Sequence, residues 1–181
     1  MGSNIYALSK IEAERYIIKY LKNKKTTYTI TRLFNTYGES QVAQFFIPKL
    51  CYAIQYNKNF TINGNGKQIR SYAYCSDVAI GIKKSLTSKK AENNTYNIGN
   101  SKEVFTLRDV TSLVSKIKKK KIKISFAQNF KTGDRKKSRE IFNRVCDTSK
   151  AKKDFKYMPK INLKEGLKKV LKQKKIFQNW P

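Results

Sequence analysis

The first 35 residues change from a helical to an extended pattern of apolar positions. Apolar side chains recur at helical spacing over residues 4–23, and Ser3 or Asn4 can cap this helix. Residues 26–34, TTYTITRLF, are β-branched and aromatic, which predicts a strand. The polar segment that follows contains Gly38 and predicts a loop. The chain therefore opens with a helix followed by a strand.

The middle of the chain continues to alternate helices and strands. Residues 43–56 predict a helix with Pro48 near its first turns, where proline is tolerated. Residues 59–75 predict a strand, a glycine-rich turn and a second strand. Residues 76–86 predict a helix for which Ser76 is the expected cap.

Two further helices carry recognisable N-terminal signals. Thr106 with Asp109 resembles a capping box, and Asn162 with Glu165 is expected to cap a last helix over residues 163–177. The remaining predicted elements are strands at 95–99 and 121–126 and a helix at 107–117. The order α-β-α-ββ-α-β-α-β-α predicts an α/β fold. A doubly wound domain would begin with a strand, whereas this chain begins with a helix.

The charge of the chain allows a polyanion partner but does not require one. The 181 residues are enough for one domain with a core, and the net charge is +28. Of the 40 basic residues only seven are Arg, and the Lys residues are spread along the chain. Because nucleic-acid binders favour Arg, we favour a compositional bias and a solvated face, and we expect no specific nucleic-acid partner. A basic polyanion-binding module remains the less favoured alternative.

Cysteine content and hydropathy indicate the cellular compartment and limit the kinds of site that we expect. Cys51, Cys75 and Cys146 are an odd number without metal-ligand spacing, so we expect reduced core thiols in a cytoplasmic protein. The sequence has no His, so no metal site is expected. No apolar run approaches the roughly 18 residues of a membrane span, and no membrane partner is expected.

The segment NIYALSK places Tyr6 and Lys10 four residues apart on the first predicted helix, so both side chains share one face. An ammonium beside a phenol favours the phenolate, which can take a proton from a sugar hydroxyl. Alone, this spacing is weak evidence, because an amphipathic helix produces the same pattern.

Further segments follow Tyr6 and Lys10 in a fixed order. They are YALSKIEAE, TRLFNTYG, INGNGKQIRSYAYCSDVA, TYNIGNSKEVFTLRDV, GDR and DTSKAKKDFKYMPKINLKEGLKKVL. Together they resemble the extended short-chain dehydrogenase/reductase family, in particular its NAD-dependent nucleotide-sugar epimerases and dehydratases. The resemblance implies an α/β fold: the C-terminal part of a Rossmann-type doubly wound parallel sheet plus a small α/β substrate-binding domain. It also implies transient oxidation at C4 of a nucleotide-diphosphate sugar, with NAD as cofactor.

The resemblance assigns roles residue by residue. Tyr6 matches the acid/base, and Lys10 matches the lysine that holds the nicotinamide ribose. The other matches are Phe34 beside the nicotinamide, Asn35 and Asn97 on the substrate, and Arg70 and Arg135 on the diphosphate. Alternatives stay open for several of them: Asn35 as a turn stabiliser, Arg70 as an exposed strand residue, Asn97 as a local hydrogen bonder, and another basic residue near 135 as the active arginine.

The chain departs from this family most clearly at its start. None of the eight glycines forms the Gly-x-x-Gly-x-x-Gly turn that cradles the NAD pyrophosphate. We therefore expect residues 1–40 to be the remnant of a Rossmann domain and residues 41–181 to be the substrate region. Whether 76–99 return to the Rossmann sheet is left open.

The missing turn sets the expected activity. We expect a truncated C-terminal fragment whose complete enzyme is an active epimerase (isomerase) or dehydratase (lyase), whereas the lone chain is inactive. A non-catalytic remnant of the family is the alternative. By resemblance a homodimer is expected, formed through the helix that bears Tyr6 and Lys10.

Overall fold

The structure is a computed structural model that describes residues 5–42, 44–127 and 141–173. Its helices and strands are interspersed along the chain, and they include the elements that the sequence predicts together with further short ones that it does not. In order they are α1 (Ile5–Leu21), β1 (Thr29–Leu33), β2 (Thr36–Tyr37), α2 (Phe46–Gln55), β3 (Phe60–Asn63), β4 (Ile69–Ser71), β5 (Ala73–Tyr74), α3 (Cys75–Thr87), a 3-10 turn (Lys89–Ala91), β6 (Asn94–Ile98), β7 (Val104–Thr106), α4 (Leu107–Lys118), β8 (Ile124–Ala127), β9 (Asn143–Arg144), α5 (Ser149–Phe155) and α6 (Leu163–Lys172).

The strands form small, mostly parallel sheets. β1 pairs with β6, β2 with β5 and β3 with β8, each in parallel. β4 lies between β7, which is antiparallel to it, and β9, which is parallel. Parallel strands need helical crossovers between them, and this confirms the α/β class. The division into two domains near residue 40 stays a prediction.

The segment predicted as strand, turn and strand forms both strands, but they do not pair with each other. β3 pairs with β8 and β4 pairs with β7 and β9, although only five residues separate β3 from β4. Gly64 and Gly66 in this connection have φ values of 77° and 73°, which glycine adopts at little cost. The turn therefore redirects the chain from one sheet to another instead of closing a hairpin.

The capping predictions have different outcomes. Thr106 and Asp109 form the predicted capping box, in which the Asp109 N–H donates to Thr106 Oγ1 at 3.1 Å. The Glu165 N–H donates to Asn162 Oδ1 at 2.9 Å and so caps α6. The predicted Ser76 cap is wrong, because α3 begins at Cys75, and Tyr74 occupies the N-cap position without a side-chain hydrogen bond that caps the helix.

Two groups of buried side chains form the core. In the larger group, α2, α4 and α6 pack together through residues such as Leu50, Val110, Val114 and Leu167, all fully buried. In the smaller group, Val78 of α3, Tyr96 and Ile98 of β6, and Phe155 of α5 pack together. α3 therefore lies against the β1–β6 pair, while α6 closes the larger group.

Helix α6 approaches the short strand β2 at a glycine. A Cβ atom on Gly166 would lie 2.1 Å from the Tyr37 hydroxyl and 2.9 Å from the Tyr74 ring. No side chain fits there, so glycine is required although it is a poor helix former. The Tyr37 hydroxyl also donates to the Leu163 carbonyl at 3.4 Å. The position of β2 is therefore coupled to that of α6.

A buried carboxylate fixes the connection between α5 and α6. Asp77, in the first turn of α3, is only 3% exposed, and its Oδ2 accepts hydrogen bonds from the N–H groups of Lys160 (3.0 Å) and Ile161 (2.8 Å). Charge-assisted bonds of this kind are stronger than neutral ones, and the helix N-terminus favours the negative charge. Asp77 thereby satisfies two backbone donors just before α6 begins.

We predict that Asp77→Ala lowers the free energy of unfolding by about 3 kcal/mol, because it leaves two N–H groups without their acceptor. Asp77→Asn retains an acceptor oxygen and should cost less. Ser76→Ala, at the exposed neighbouring position, is the control and should stay within about 0.5 kcal/mol of wild type. Urea denaturation measures all three, and an Asp77→Ala value equal to that of Ser76→Ala would contradict the role of the carboxylate.

Candidate active site

The carboxyl end of β1 brings together several of the residues singled out in the sequence. The Phe34 N–H donates to the Ile98 carbonyl at 3.0 Å and extends the pairing of β1 with β6 by one residue. The Asn35 carbonyl accepts from the Ala73 N–H at 3.3 Å. Asn97 lies just before Ile98 on β6. Phe34 and Asn35 thus lie at the edge where ligands bind in parallel α/β sheets, and Asn97 lies near the same end of β6.

Asn35 has a backbone conformation that few residue types adopt. Its φ is 31°, in the left-handed region, where Asn is tolerated better than most side chains. Its side-chain Nδ2 is buried without a hydrogen-bond partner. An unpartnered donor next to a strained backbone is typical of a binding site, because a ligand can supply the missing acceptor.

The loop that follows Asn35 is anchored at several points. The Tyr74 hydroxyl donates to Glu39 Oε2, and the Ser40 N–H donates to Gln173 Oε1 at 3.2 Å. Burial, together with the Glu39 carboxylate, raises the pKa of Tyr74, so its phenol remains a neutral donor. These contacts hold the loop against β5 and the end of α6.

The structure gives Arg70 a buried position with backbone partners. Arg70 is 8% exposed, and its Nη1 donates to the carbonyls of Ile69 (2.7 Å) and Phe142 (2.9 Å). It is therefore not the exposed strand residue of the alternative interpretation. Its role on a diphosphate stays a prediction.

Arg144 is a neighbour that the sequence did not identify. It lies opposite Arg70 in the parallel pairing of β9 with β4, so the structure places two arginines side by side. Strand β9 has only two residues, and no periodic pattern marks it. Only the pairing with a strand more than 70 residues away shows the position of Arg144.

The other predicted substrate residues are not brought to one point. The Asn97 Nδ2 donates to the Asp147 carbonyl at 3.1 Å, which links β6 to the segment before α5. This contact agrees with a local hydrogen-bonding role, and a substrate role stays a prediction. Arg135 lies outside the described residues.

Tyr6 and Lys10 lie on α1, as the spacing predicts. The Lys10 Nζ is 5.6 Å from the centroid of the Tyr6 ring, so the ammonium and the phenol are neighbours. Tyr6 is 69% exposed, and α1 has no buried residue. The contacts described for these two side chains do not extend to Asn35 or Arg70. The structure therefore supports the pair but not its meeting with the remaining site residues.

An ion pair joins α1 to β1. Arg32 donates from Nε and Nη2 to the two Glu14 carboxylate oxygens at 2.8 and 2.5 Å. The hydrogen bond from Arg32 is the main cause that lowers the pKa of Glu14 below its ordinary value of 4.5; burial opposes this shift, and the charge of Arg32 adds to it. Among the described residues, these two hydrogen bonds are the ones that a side chain of α1 makes outside the helix, so they orient the helix that carries Tyr6 and Lys10.

The buried tyrosines and thiols are unsuited to proton transfer or nucleophilic attack. Burial raises the pKa of Tyr37 and Tyr72, and it raises the pKa of Cys51 and of Cys146 to about 12. In the described part of the chain, no group of three potential ligands could hold a metal ion. Over the same part, no helix is long and apolar enough to cross a membrane.

A basic cleft of about 150 Å³ lies at the opposite end of the β3–β8 pair from the carboxyl ends of its strands. Residues 57–59 and 121–123 line it just before the two strands begin, together with Ala53 and Ile54. Three of the lining residues are Lys and none is acidic. The cleft is lined by residues other than those at the edge that carries Asn35.

The comparisons with known proteins agree on one family. The family profile described as GDP-mannose 4,6 dehydratase matches residues 2–170. The dTDP-D-glucose 4,6-dehydratase of Bos taurus is 30% identical over 179 residues, which cover 98% of this chain and 50% of the bovine protein. The Mus musculus dTDP-D-glucose 4,6-dehydratase is 31% identical over 191 residues, with the same coverage.

Among solved structures, the UDP-glucuronic acid 4-epimerase of Bacillus cereus, in complex with UDP-glucuronic acid and NAD, superposes with a TM-score of 0.82. It is 29% identical, and the match covers 92% of this chain and 51% of the epimerase chain. The chain belongs to the GDP-mannose 4,6 dehydratase family, within the extended short-chain dehydrogenase/reductases. It spans about half the length of the curated relatives it matches.

Substitution of Glu14 tests whether its ion pair with Arg32 holds α1 against β1. We predict that Glu14→Gln speeds hydrogen exchange of the α1 and β1 amides up to about fivefold, because an exposed ion pair contributes at most about 1 kcal/mol. Glu12→Gln is the control, since Glu12 bonds only Arg15 within α1. The measurement is amide hydrogen exchange by NMR.

The Glu14–Arg32 pair also predicts how hydrogen exchange in α1 and β1 depends on pH. Because the folded pKa of Glu14 is lowered, the contribution of the ion pair is present above about pH 4.5 and is lost as the pH falls through the folded value. At lower pH the wild type and Glu14→Gln should converge. Equal exchange for Glu14→Gln and Glu12→Gln at pH 7 would show that the ion pair does not hold α1.

Proposed function

We propose that this chain is the C-terminal, substrate-binding portion of an NAD-dependent nucleotide-sugar epimerase or dehydratase. The observation that carries the proposal is the family match over residues 2–170. The position of Asn35, with an unpartnered amide at the carboxyl end of β1, supports it. The substrate class follows the relatives, which are named for dTDP-glucose and UDP-glucuronic acid.

In this proposal the hydroxyl of Tyr6 is the acid/base that takes a proton from a sugar hydroxyl. Lys10, whose Nζ lies 5.6 Å from the centroid of the Tyr6 ring, contacts the ribose next to the nicotinamide. Asn35 and Asn97 bind the sugar nucleotide, and Arg70 and Arg135 bind the diphosphate. Charge-assisted bonds from arginine suit a diphosphate because they can be bidentate.

The described residues fit one end of an NAD molecule. Tyr6 and Lys10 present an exposed phenol and ammonium on one helix face, and Phe34 lies at the end of β1. Bound NAD would supply the acceptor for hydride in this chemistry. The glycines of the chain do not form the turn that binds a dinucleotide pyrophosphate, so its other end would have to be held by residues outside those seen here.

The exposed apolar surface of helix α1 is typical of a protein–protein interface. Large apolar side chains on it are exposed, among them Ile5, Tyr6, Leu8 and Tyr16. Exposed apolar patches of this kind mark interaction sites. We include in the proposal that α1 is covered in the complete enzyme, where a homodimer would cover it.

Binding tests the substrate class directly. We predict that the 181-residue chain binds dTDP-glucose, UDP-glucose or UDP-glucuronic acid with a dissociation constant below about 1 mM, whereas glucose 1-phosphate, which lacks the nucleoside, binds at least about tenfold more weakly. Isothermal titration calorimetry measures both. No binding of any nucleotide sugar at millimolar concentration would contradict the proposal. Titration with NAD distinguishes an active fragment from a non-catalytic remnant. Micromolar binding of NAD by the lone chain would exclude a remnant that can no longer bind the cofactor.

Substitution of one hydroxyl tests the catalytic assignment. In the complete enzyme, Tyr6→Phe should lower turnover at least about 100-fold, the usual scale of acid–base catalysis, while leaving substrate binding within about twofold. Tyr16→Phe is the matched control, because Tyr16 lies on the same helix and is 68% exposed, against 69% for Tyr6. Conversion of the nucleotide sugar is followed by chromatography. Wild-type turnover in Tyr6→Phe would refute the role of the phenol.

A further inference from the structure

The loop after β1 contains an unusual concentration of unsatisfied polar atoms. Asn35 Nδ2, Thr36 Oγ1 and Gln41 Oε1 are all buried and have no hydrogen-bond partner. Elsewhere in the described part of the chain, such atoms lie on Gln55 and on Gln68 and Tyr72, which flank β4. Buried polar atoms in native proteins are nearly always paired, so three within seven residues require an explanation.

The amide of Gln41 is held in one orientation. Its Nε2 donates to the Thr36 carbonyl at 3.0 Å. A carbonyl can only accept, so the NH₂ end must face Thr36 and the Oε1 acceptor must face away from it. The contacts of Glu39 and Ser40 with Tyr74 and Gln173 fix the backbone on the preceding side. The unpartnered acceptor is therefore preorganised.

The unsatisfied groups define the chemistry of a ligand. Asn35 offers a donor, Gln41 an acceptor, and the Thr36 hydroxyl can act as either. None of the three carries a charge. A phosphate oxygen has no proton to give to the Gln41 acceptor, whereas a sugar hydroxyl can donate one bond and accept another. Neighbouring hydroxyls of a pyranose ring match this set, and a diphosphate does not.

The three residues lie near the surface, at one edge of the sheet. Each is only partly buried as a whole residue, although the unpartnered atom of each is enclosed. They follow the carboxyl end of β1, and Thr36 pairs with Ala73 in the parallel β2–β5 pair. This is the edge of a parallel sheet where α/β proteins bind ligands.

We propose that Thr36 and Gln41 act together with Asn35 to bind two adjacent hydroxyls of the hexose ring. Gln41 accepts a hydrogen bond from one hydroxyl, Asn35 donates to the other, and Thr36 bridges them. This inference rests on the proposed function, and it assigns recognition of the sugar, as opposed to the nucleotide, to one seven-residue loop. Thr36 and Gln41 are positioning residues for the substrate.

The test compares UDP-glucose with UDP, which lacks the hexose, by calorimetry on the full chain. Gln41→Ala and Thr36→Val should each weaken UDP-glucose binding about tenfold, the factor expected for one ordinary hydrogen bond, and should leave UDP binding unchanged. Thr36→Ser keeps the hydroxyl and should restore wild-type affinity. Gln44→Ala, at an exposed position in the same connection, is the matched control and should change neither affinity.

Stability supplies an independent readout. If these atoms are unpaired in the ligand-free protein, Thr36→Val removes an unpaired hydroxyl. Its melting temperature should then be equal to or higher than that of the wild type. The inference would be overturned if Gln41→Ala and Thr36→Val weakened the binding of UDP and UDP-glucose equally, or if they left UDP-glucose binding unchanged. It would also be overturned by a crystal structure of the UDP-glucose complex in which an internal water is bonded to all three atoms. Failure of the wild-type chain to bind any nucleotide sugar would instead overturn the proposed function, and the inference with it.

Discussion

The Asp77 carboxylate is the interaction on which the arrangement of this chain most depends. It accepts two backbone hydrogen bonds from Lys160 and Ile161, just before α6 begins. Glu103 accepts a third from the Leu163 N–H at 2.7 Å. Because these donors precede or begin α6, the two carboxylates fix where that helix starts. Removal of a buried acceptor leaves its N–H donors without a partner. This lowers the free energy of unfolding more than the loss of an exposed contact does.

The position of α6 then determines the candidate substrate edge. Gly166 lets α6 contact the Tyr37 ring, and Gln173 at its end receives a hydrogen bond from Ser40. Both contacts fall on the segment that begins with Asn35. The polar loop is therefore held by the far end of the chain, although it lies next to β1 in sequence. This long-range support allows Asn35 to keep a φ of 31° and an unpaired amide, which local sequence alone would not stabilise.

Local signals predicted much of the fold, and long-range pairing accounts for what they missed. The Thr106–Asp109 box and the Asn162 cap act within four residues, so the sequence shows them directly. Strands β2, β5 and β9 have two residues each and are defined only by distant partners. The same division holds for the site: motifs identified Asn35, whereas Arg144 and the unpaired atom of Gln41 became visible only in three dimensions. The Ser76 cap was wrong because a local capping rule ignored the start of α3 at Cys75.

NMR can test whether the loop beginning at Asn35 binds the sugar of a nucleotide sugar, as we propose. A ¹⁵N-labelled chain is titrated with UDP-glucuronic acid while the side-chain amides of Asn35 and Gln41 are followed. Both amide signals should shift saturably, while signals from the basic cleft at residues 121–123 stay unchanged. Shifts confined to that cleft, or none at millimolar ligand, would contradict the proposal.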